Sequence, residues 1–325
     1  MEVKYYLKIL ILLVFFIFGC NKQDDLVKRE TVSMGTIMEY QVAGVSKEIA
    51  NKAITEAIKE VEKLNQKYST YKTDNYIFRI NNVKNDTIHV DSETYKLMLI
   101  CDEAYKSTNG NFDAAIGNLI DLIGFEKNNP HIPDSVAIAN AVKKTGWKNI
   151  KFYSDSIIFK PNGIKISFNA MLPGYAADVA KKVFEKYGIK EYLINTGGEI
   201  FGAGRNWTVG IQHPRKKDML LGTLVINGKG VATSGDYERF FKANGKQFSH
   251  IIDPLTGYPI DRCEAVTIIA DIATIADYLS TGVFVAGPKK GLEIIEKIKD
   301  VEGIIVDTNG KIIMSSGFKK YLRSK

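Results

Sequence analysis

The chain has 325 residues, 45% of them hydrophobic and 25% charged, with a formal net charge of +7 at neutral pH. That is a globular composition, long enough for one large domain or two modest ones. The lysines are scattered and form no basic stripe interleaved with aromatic rings, which argues against a nucleic-acid-binding surface.

Residues 1–8 hold two lysines and a glutamate, 9–18 are continuously apolar, and Gly19-Cys20 precede the polar run 21–25. The apolar core is too short for a convincing membrane span and reads as an export signal. A Cys directly after Gly resembles a lipobox. It predicts 1–19 as a lipoprotein signal peptide, Cys20 as the lipidated first residue of the mature chain, and 20–30 as a polar tether. Beyond Cys20 only Cys101 and Cys263 remain. They allow one disulfide in an oxidising compartment, although the helical pattern around Cys101 favours a buried free thiol.

Residues 31–42 read as a strand carrying Met34-Gly35-Thr36. Residues 46–68 predict a helix: Ser46 can cap it, and Ala50, Ala53, Ile54, Ala57, Ile58, Val61 and Leu64 form an apolar stripe. Loop and short helix fill 69–82, and a second helix covers 92–109, stopped by Gly110. Residues 114–125 are apolar and punctuated by glycine, and 135–145 predict a short helix. Strands are expected at 150–159 and 165–169, around Pro161-Asn162-Gly163. A helix at 174–187 and a strand at 189–194 lead to Thr196-Gly197-Gly198. Further strands are expected at 207–212, 222–227, 231–242, 247–252 and 265–270. Helices at 272–286 and 289–298 precede a closing hairpin, 303–307 with 311–314. Strands and helices mix without βαβ alternation, which favours α+β over a Rossmann sheet. Neither a repeat nor a linker divides residues 31–325, so one domain is expected.

The stretch 232–281 carries the densest chemistry. Asp277 and Thr281 are four apart, so on a helix a carboxylate and a hydroxyl share a face. That pair suits Mg²⁺, which prefers oxygen ligands. A Thr bonded back to its own helix beside an Asp explains the same pair without a metal. His250 and Asp253 lie in a loop that Pro254 and Gly257 close, and His is the usual acid/base group near neutral pH. Thr233-Ser234-Gly235 and Thr196-Gly197-Gly198 offer hydroxyls and approachable N–H groups of the kind that hold phosphate, although most such pairs are plain turns. Met34, Tyr71 and Tyr175 could hold a flat ring or serve as ordinary core. There is no P-loop, nucleophile elbow, dinucleotide fingerprint or H-E-x-x-H.

Together these segments resemble the ApbE family, the FAD:protein FMN transferases. The matching blocks run from Met34-Gly35-Thr36 through Tyr68-Ser69-Thr70-Tyr71, Asn109-Gly110-Asn111-Phe112-Asp113, Gly174-Tyr175-Ala176-Ala177-Asp178 and Asn195-Thr196-Gly197-Gly198. They continue through Gly210-Ile211-Gln212-His213-Pro214, Thr233-Ser234-Gly235 and His250-Ile251-Ile252-Asp253-Pro254 to Asp277 and Thr281. The resemblance implies a single domain of mixed, mainly antiparallel sheets with packed helices. It implies that Met34 and Tyr71 contact the isoalloxazine ring, while Asn111, Phe112, Asp113, Asn169, Tyr175 and Ile252 line the rest of the FAD site. Mg²⁺ would be held by Asp277, Thr281 and a backbone carbonyl placed at Leu172, with His250 nearest the transfer chemistry. One departure stands in the chain: Leu172-Pro173-Gly174-Tyr175 occupies the place where the family often has Ala-Lys-Gly-Tyr.

The resulting expectation is a lipid-anchored, periplasm-facing enzyme on the cell-envelope membrane. It would split FAD with Mg²⁺, release AMP, and pass FMN to a Thr or Ser hydroxyl of an acceptor flavoprotein subunit in a membrane or exported redox complex. An FAD pyrophosphatase giving free FMN, or a non-catalytic FAD-binding lipoprotein, would use the same motifs.

Overall fold

The computed structural model describes residues 26–323 except 85, 128 and 244. The expected signal peptide, Cys20 and most of the tether lie outside these residues.

The elements run β1 (Val27–Ser33), β2 (Thr36–Ala43), α1 (Lys47–Tyr68), α2 (Tyr76–Asn82), β3 (Thr87–His89) and α3 (Ser92–Ser107). Next come α4 (Gly117–Ile123), a 3-10 turn (Phe125–Lys127), α5 (Ser135–Val142), β4 (Lys151–Ser154), β5 (Ile157–Phe159) and α6 (Leu172–Lys186). Strands follow: β6 (Glu191–Asn195), β7 (Ile200–Ala203), β8 (Trp207–Gln212), β9 (Leu220–Ile226), β10 (Lys229–Gly235), β11 (Phe240–Ala243), β12 (Lys246–Ser249) and β13 (Cys263–Ala270). The chain closes with α7 (Ala273–Lys297), β14 (Glu302–Asp307) and β15 (Ile312–Met314).

An eight-stranded sheet orders them β1-β2-β6-β7-β10-β13-β14-β15, with every neighbouring pair antiparallel. Strand alternation assigns its two faces. Ala232, Ile268 and Ile305 face the main core, which α1, α6 and α7 complete. Val231, Ile269 and Ile304 face a second core with Trp207 and Leu224 of the β8–β9 pair. β13 is covered on both faces and is buried along its whole length. The α+β expectation therefore holds, and the sheets are antiparallel.

Several expected boundaries move, each for a visible reason. The strand expected at 31–42 is a hairpin, because Met34 (φ 51°) and Gly35 (φ 76°) are both left-handed and make a two-residue turn. Ser46 caps α1 as expected by accepting from Ile49 N–H. Residues 165–169 are not a strand: Ile166 exchanges both backbone bonds with the Asn81 side chain at 2.8 Å, and Ser167 N–H donates to Ala114 O. The tight turn joins β4 to β5 instead, and β5 also pairs with β3, which the sequence did not suggest. β7 was also missed. The expected strand 231–242 ends at Gly235 and resumes at Phe240. The two expected helices at 272–286 and 289–298 are found within α7, which Gly287 (φ 79°) breaks in two before Pro288. Cys101 and Cys263 are both buried and free.

Candidate active site

Gly174 makes the first half of the site possible. A Cβ there would stand 2.7 Å from Ala273 O and 2.7 Å from Asp277 Cβ, so only glycine lets the start of α6 lie against α7. Its N–H donates to Asp277 Oδ2 at 2.8 Å. Farther along α6, Asp178 accepts from the N–H groups of Ala273 and Thr274 at 3.1 and 2.9 Å, which caps α7. Pro173 falls in the first turn of α6, where a missing N–H costs nothing, and its carbonyl accepts from Thr196 Oγ1 at 2.8 Å.

Asp277 is buried, and its Oδ1 takes no hydrogen bond from the described residues. Burial, followed by the charge of Glu199, pushes its carboxyl well above the usual range; Glu238 and Asp178 add to this and the Gly174 N–H opposes it. Burial also pushes Glu199 up to about 7. Burial and the charge of Glu199 push Glu238 up to about 8. Glu199 is half-buried, and Glu238 is exposed. No Lys or Arg is among the groups that shift these three carboxyls. Beside them the Ser234 hydroxyl bonds to those of Ser280 at 2.8 Å and Thr281 at 3.3 Å.

An uncompensated negative pocket with a free carboxylate oxygen and hydroxyls fits a hard cation. Among the described residues no cluster of three or more His, Cys, Asp or Glu is arranged as a metal site. A cation here would therefore take one carboxylate, neutral oxygens and substrate phosphate, the mixed shell that Mg²⁺ favours. The Gly197 and Gly198 N–H groups do not stand free for phosphate: both donate to Asn195 Oδ1, at 3.1 and 2.8 Å. A Cβ on Gly197 would lie 2.5 Å from Thr36. This turn thus ties the Met34 hairpin to the start of α6.

The second half rests on the two-stranded β11–β12 ribbon. Arg239 O accepts from His250 N at 3.0 Å and faces His250 Nδ1 at 3.1 Å. A carbonyl can only accept, so this contact assigns the proton to Nδ1 and leaves Nε2 of the neutral ring bare. Burial, then the Arg239 charge, lowers the His250 pKa to about 4. Arg239 Nη2 donates to Tyr71 OH at 2.7 Å. The Phe125 ring meets His250 edge-on at 6.3 Å. Asn169 Nδ2 donates to Thr70 Oγ1 at 2.8 Å and to Glu126 Oε1 at 2.5 Å, and burial raises the Glu126 pKa. Tyr71, Asn169 and His250 are thereby gathered.

Asp253 does not pair with His250. Its carboxylate accepts from Leu255 N–H at 2.9 Å and from Arg262 at 3.0 Å, so it shapes the turn. The turn 236–239 joins the halves: Glu238 acts on Asp277, and Arg239 holds His250 and Tyr71.

The other expected residues are placed as follows. Met34 packs partly buried on the main core, in a left-handed conformation rare for a bulky residue. Leu172 and Tyr175 are buried at the start of α6, with Lys96 Nζ 5.9 Å above the Tyr175 ring. Ile252 is buried with Leu119 and Ile123. Asn111 donates to Thr108 O at 2.7 Å, and Phe112 packs 5.9 Å from Tyr278. Asp113 accepts from Ala115 N–H at 2.7 Å and Trp147 N–H at 2.9 Å, and burial lifts its pKa to about 6. Protein groups hold all three of these side chains. Sequence reasoning missed Glu126, Glu199, Glu238 and Arg239. Their proximity to Asp277 and His250 across the fold is not encoded by any local pattern.

The model of the ApbE family matches residues 34–305. The FAD:protein FMN transferase of Haemophilus influenzae is 30% identical, the match spanning 94% of this chain and 94% of the relative. The protein of that name in Escherichia coli is 29% identical over 100% of this chain and 99% of the relative. Among solved structures, the ApbE protein of Thermotoga maritima superposes with a TM-score of 0.84 at 31% identity, covering 92% of this chain and 100% of that one. The apo form of Pseudomonas stutzeri flavinyl transferase ApbE gives 0.83 at 26% identity, covering 93% and 98%.

Proposed function

The chain belongs to the ApbE family, and from that premise we propose that it transfers FMN from FAD to a Thr or Ser hydroxyl of an exported partner protein. One observation carries the reading: His250 presents a bare Nε2 beside Arg239, which also holds Tyr71, and the same turn carries Glu238, whose charge acts on Asp277.

Asp277 Oδ1, Thr281 Oγ1 and the Leu172 carbonyl would hold Mg²⁺, which offsets charge on the pyrophosphate oxygens when bound. Tyr71 and Met34 hold the flavin, so that the FMN phosphorus is fixed relative to His250. The acceptor oxygen bonds to that phosphorus as its proton passes to Nε2. The anhydride bond to the AMP oxygen breaks, and AMP leaves with the electron pair. General-base help of this kind is worth about 10²–10⁴-fold. The lowered pKa keeps His250 in its base form at neutral pH. Lipidation at Cys20 would hold the enzyme to the cell-envelope membrane, facing the periplasm, where an acceptor subunit of a redox complex is exposed.

Incubation with FAD, Mg²⁺ and a candidate acceptor tests the reading. Flavin fluorescence that stays with the acceptor on a denaturing gel supports transfer. Free FMN with AMP alone means hydrolysis, and FAD recovered intact means a binding protein; either result overturns it.

A further inference from the structure

Among the described residues the β11–β12 ribbon pairs only with itself, and an isolated two-stranded ribbon is marginal in water. Something must fix its base, and the structure shows what. Arg215, on the loop between β8 and β9, grips Asp236 in a two-pronged pair at 2.6 and 2.7 Å. Its Nε also reaches Glu264 of β13 at 3.0 Å. Asp236 is the first residue of the turn leading to Glu238 and Arg239. The same turn is held by Asp236 N–H to Glu264 O and Gln247 Nε2 to Asp236 O, both at 3.1 Å. Arg215 N–H donates to His213 Nδ1 at 3.1 Å, which orients the arginine's own loop. One guanidinium thus joins the β8–β9 loop, the central strand β13 and the base of the ribbon.

We propose that Arg215 is a positioning residue for FMN transfer, anchoring the ribbon so that His250 stands in register with the Asp277 half of the cleft. The inference rests on the transferase reading for its kinetic arm only. A planar guanidinium can serve two carboxylates at fixed angles, which an ammonium cannot. Loosening the turn would further hydrate the half-buried His250 ring. Arg239 is the charged group that acts on that ring; Asp253, on its own loop, is paired with Arg262, and Glu126 follows Phe125, whose ring meets His250.

The test uses the whole protein with Arg215→Ala, Arg215→Lys and Asp236→Asn. Nitrogen NMR of the His250 ring against pH is the first readout, and transfer rate at saturating FAD the second. In Arg215→Ala the His250 pKa should climb from about 4 toward 6.5. The rate should fall about 10²-fold, the cost of a small misplacement, with FAD affinity little changed. Arg215→Lys, keeping one ion pair, should recover part of both effects, and Asp236→Asn should follow Arg215→Ala. A variant that melts earlier but keeps the wild-type His250 titration and rate would reduce Arg215 to a stabilising pair and overturn the proposal. If the wild type transfers no FMN, the transferase reading fails, while the titration still decides the role of Arg215.

Discussion

The two halves of the cleft are built differently. The Asp277 half stands on the ends of β10, α6 and α7, elements packed into the main core. A glycine contact that admits no side chain and the Asp178 cap lock it. The His250 half stands on a ribbon with no partner strand, pinned by Arg215, by Arg239 and by the Phe241 ring against Phe125 at 5.4 Å. The first half holds the Asp277 carboxyl in place through the Gly174 N–H and the packing of α6 against α7. The second carries His250 on a ribbon that side-chain contacts hold from outside.

The largest effect is expected from Asp277→Asn, which keeps the size of the side chain and an oxygen for the Gly174 N–H but loses the charge. Transfer should fall further than in any other variant, to a rate that only single-turnover measurement resolves, and any rise in melting temperature on adding Mg²⁺ should vanish; a variant still stimulated by Mg²⁺ would contradict the metal assignment. His250→Ala should slow transfer by about 10²–10⁴-fold and leave FAD binding, read by fluorescence quenching, close to wild type. Gly174→Ala probes the rigid half. Its methyl would press on backbone at Ala273 and should cost about 1–3 kcal/mol in denaturant unfolding. An unchanged midpoint would show that α6 can slide.

Acid probes the His250 half. His250 has its ordinary value of 6.5 when unfolded and about 4 in the fold. Between those values the unfolded chain binds more protons, so His250 weakens the fold as pH drops through that window. Unfolding curves of His250→Gln should lose that part of the acid dependence, and the acid limb of the wild-type rate should lie near 4 rather than 6.5. The smallest effect is expected from Pro173→Lys, since the position is an ordinary first-turn site. A cation there opposes the helix dipole by about 0.3–1 kcal/mol, while FAD binding should tighten at low salt and lose that gain at high salt.

The two halves also differed in how well the sequence disclosed them. Asp277 and Thr281 could be read directly, because helical spacing fixes which side chains share a face. The start of α6 was equally plain from Gly174-Tyr175 and the apolar pattern after it. Glu199 and Glu238 were not, because what makes them notable is proximity to Asp277 across the sheet, and no local pattern encodes it. The ribbon was half legible: the His250 loop stood out, but its Asp253 proved to be a turn-builder for Leu255 and Arg262. The break after Gly235 was hidden inside a run that alternates well enough for one long strand. Likewise the Met34 hairpin was missed because Met rarely adopts a left-handed conformation, so local propensity argued for a continuous strand.

The central claim is that the two halves act as one site on one step. Single-turnover transfer rates for wild type, His250→Ala, Asp277→Asn and the double variant test it most directly. Groups that act as a unit are strongly non-additive, so the double variant should be no slower than the slower single one. Losses that simply multiply would contradict the account, since they would mean that His250 and Asp277 contribute independently of each other.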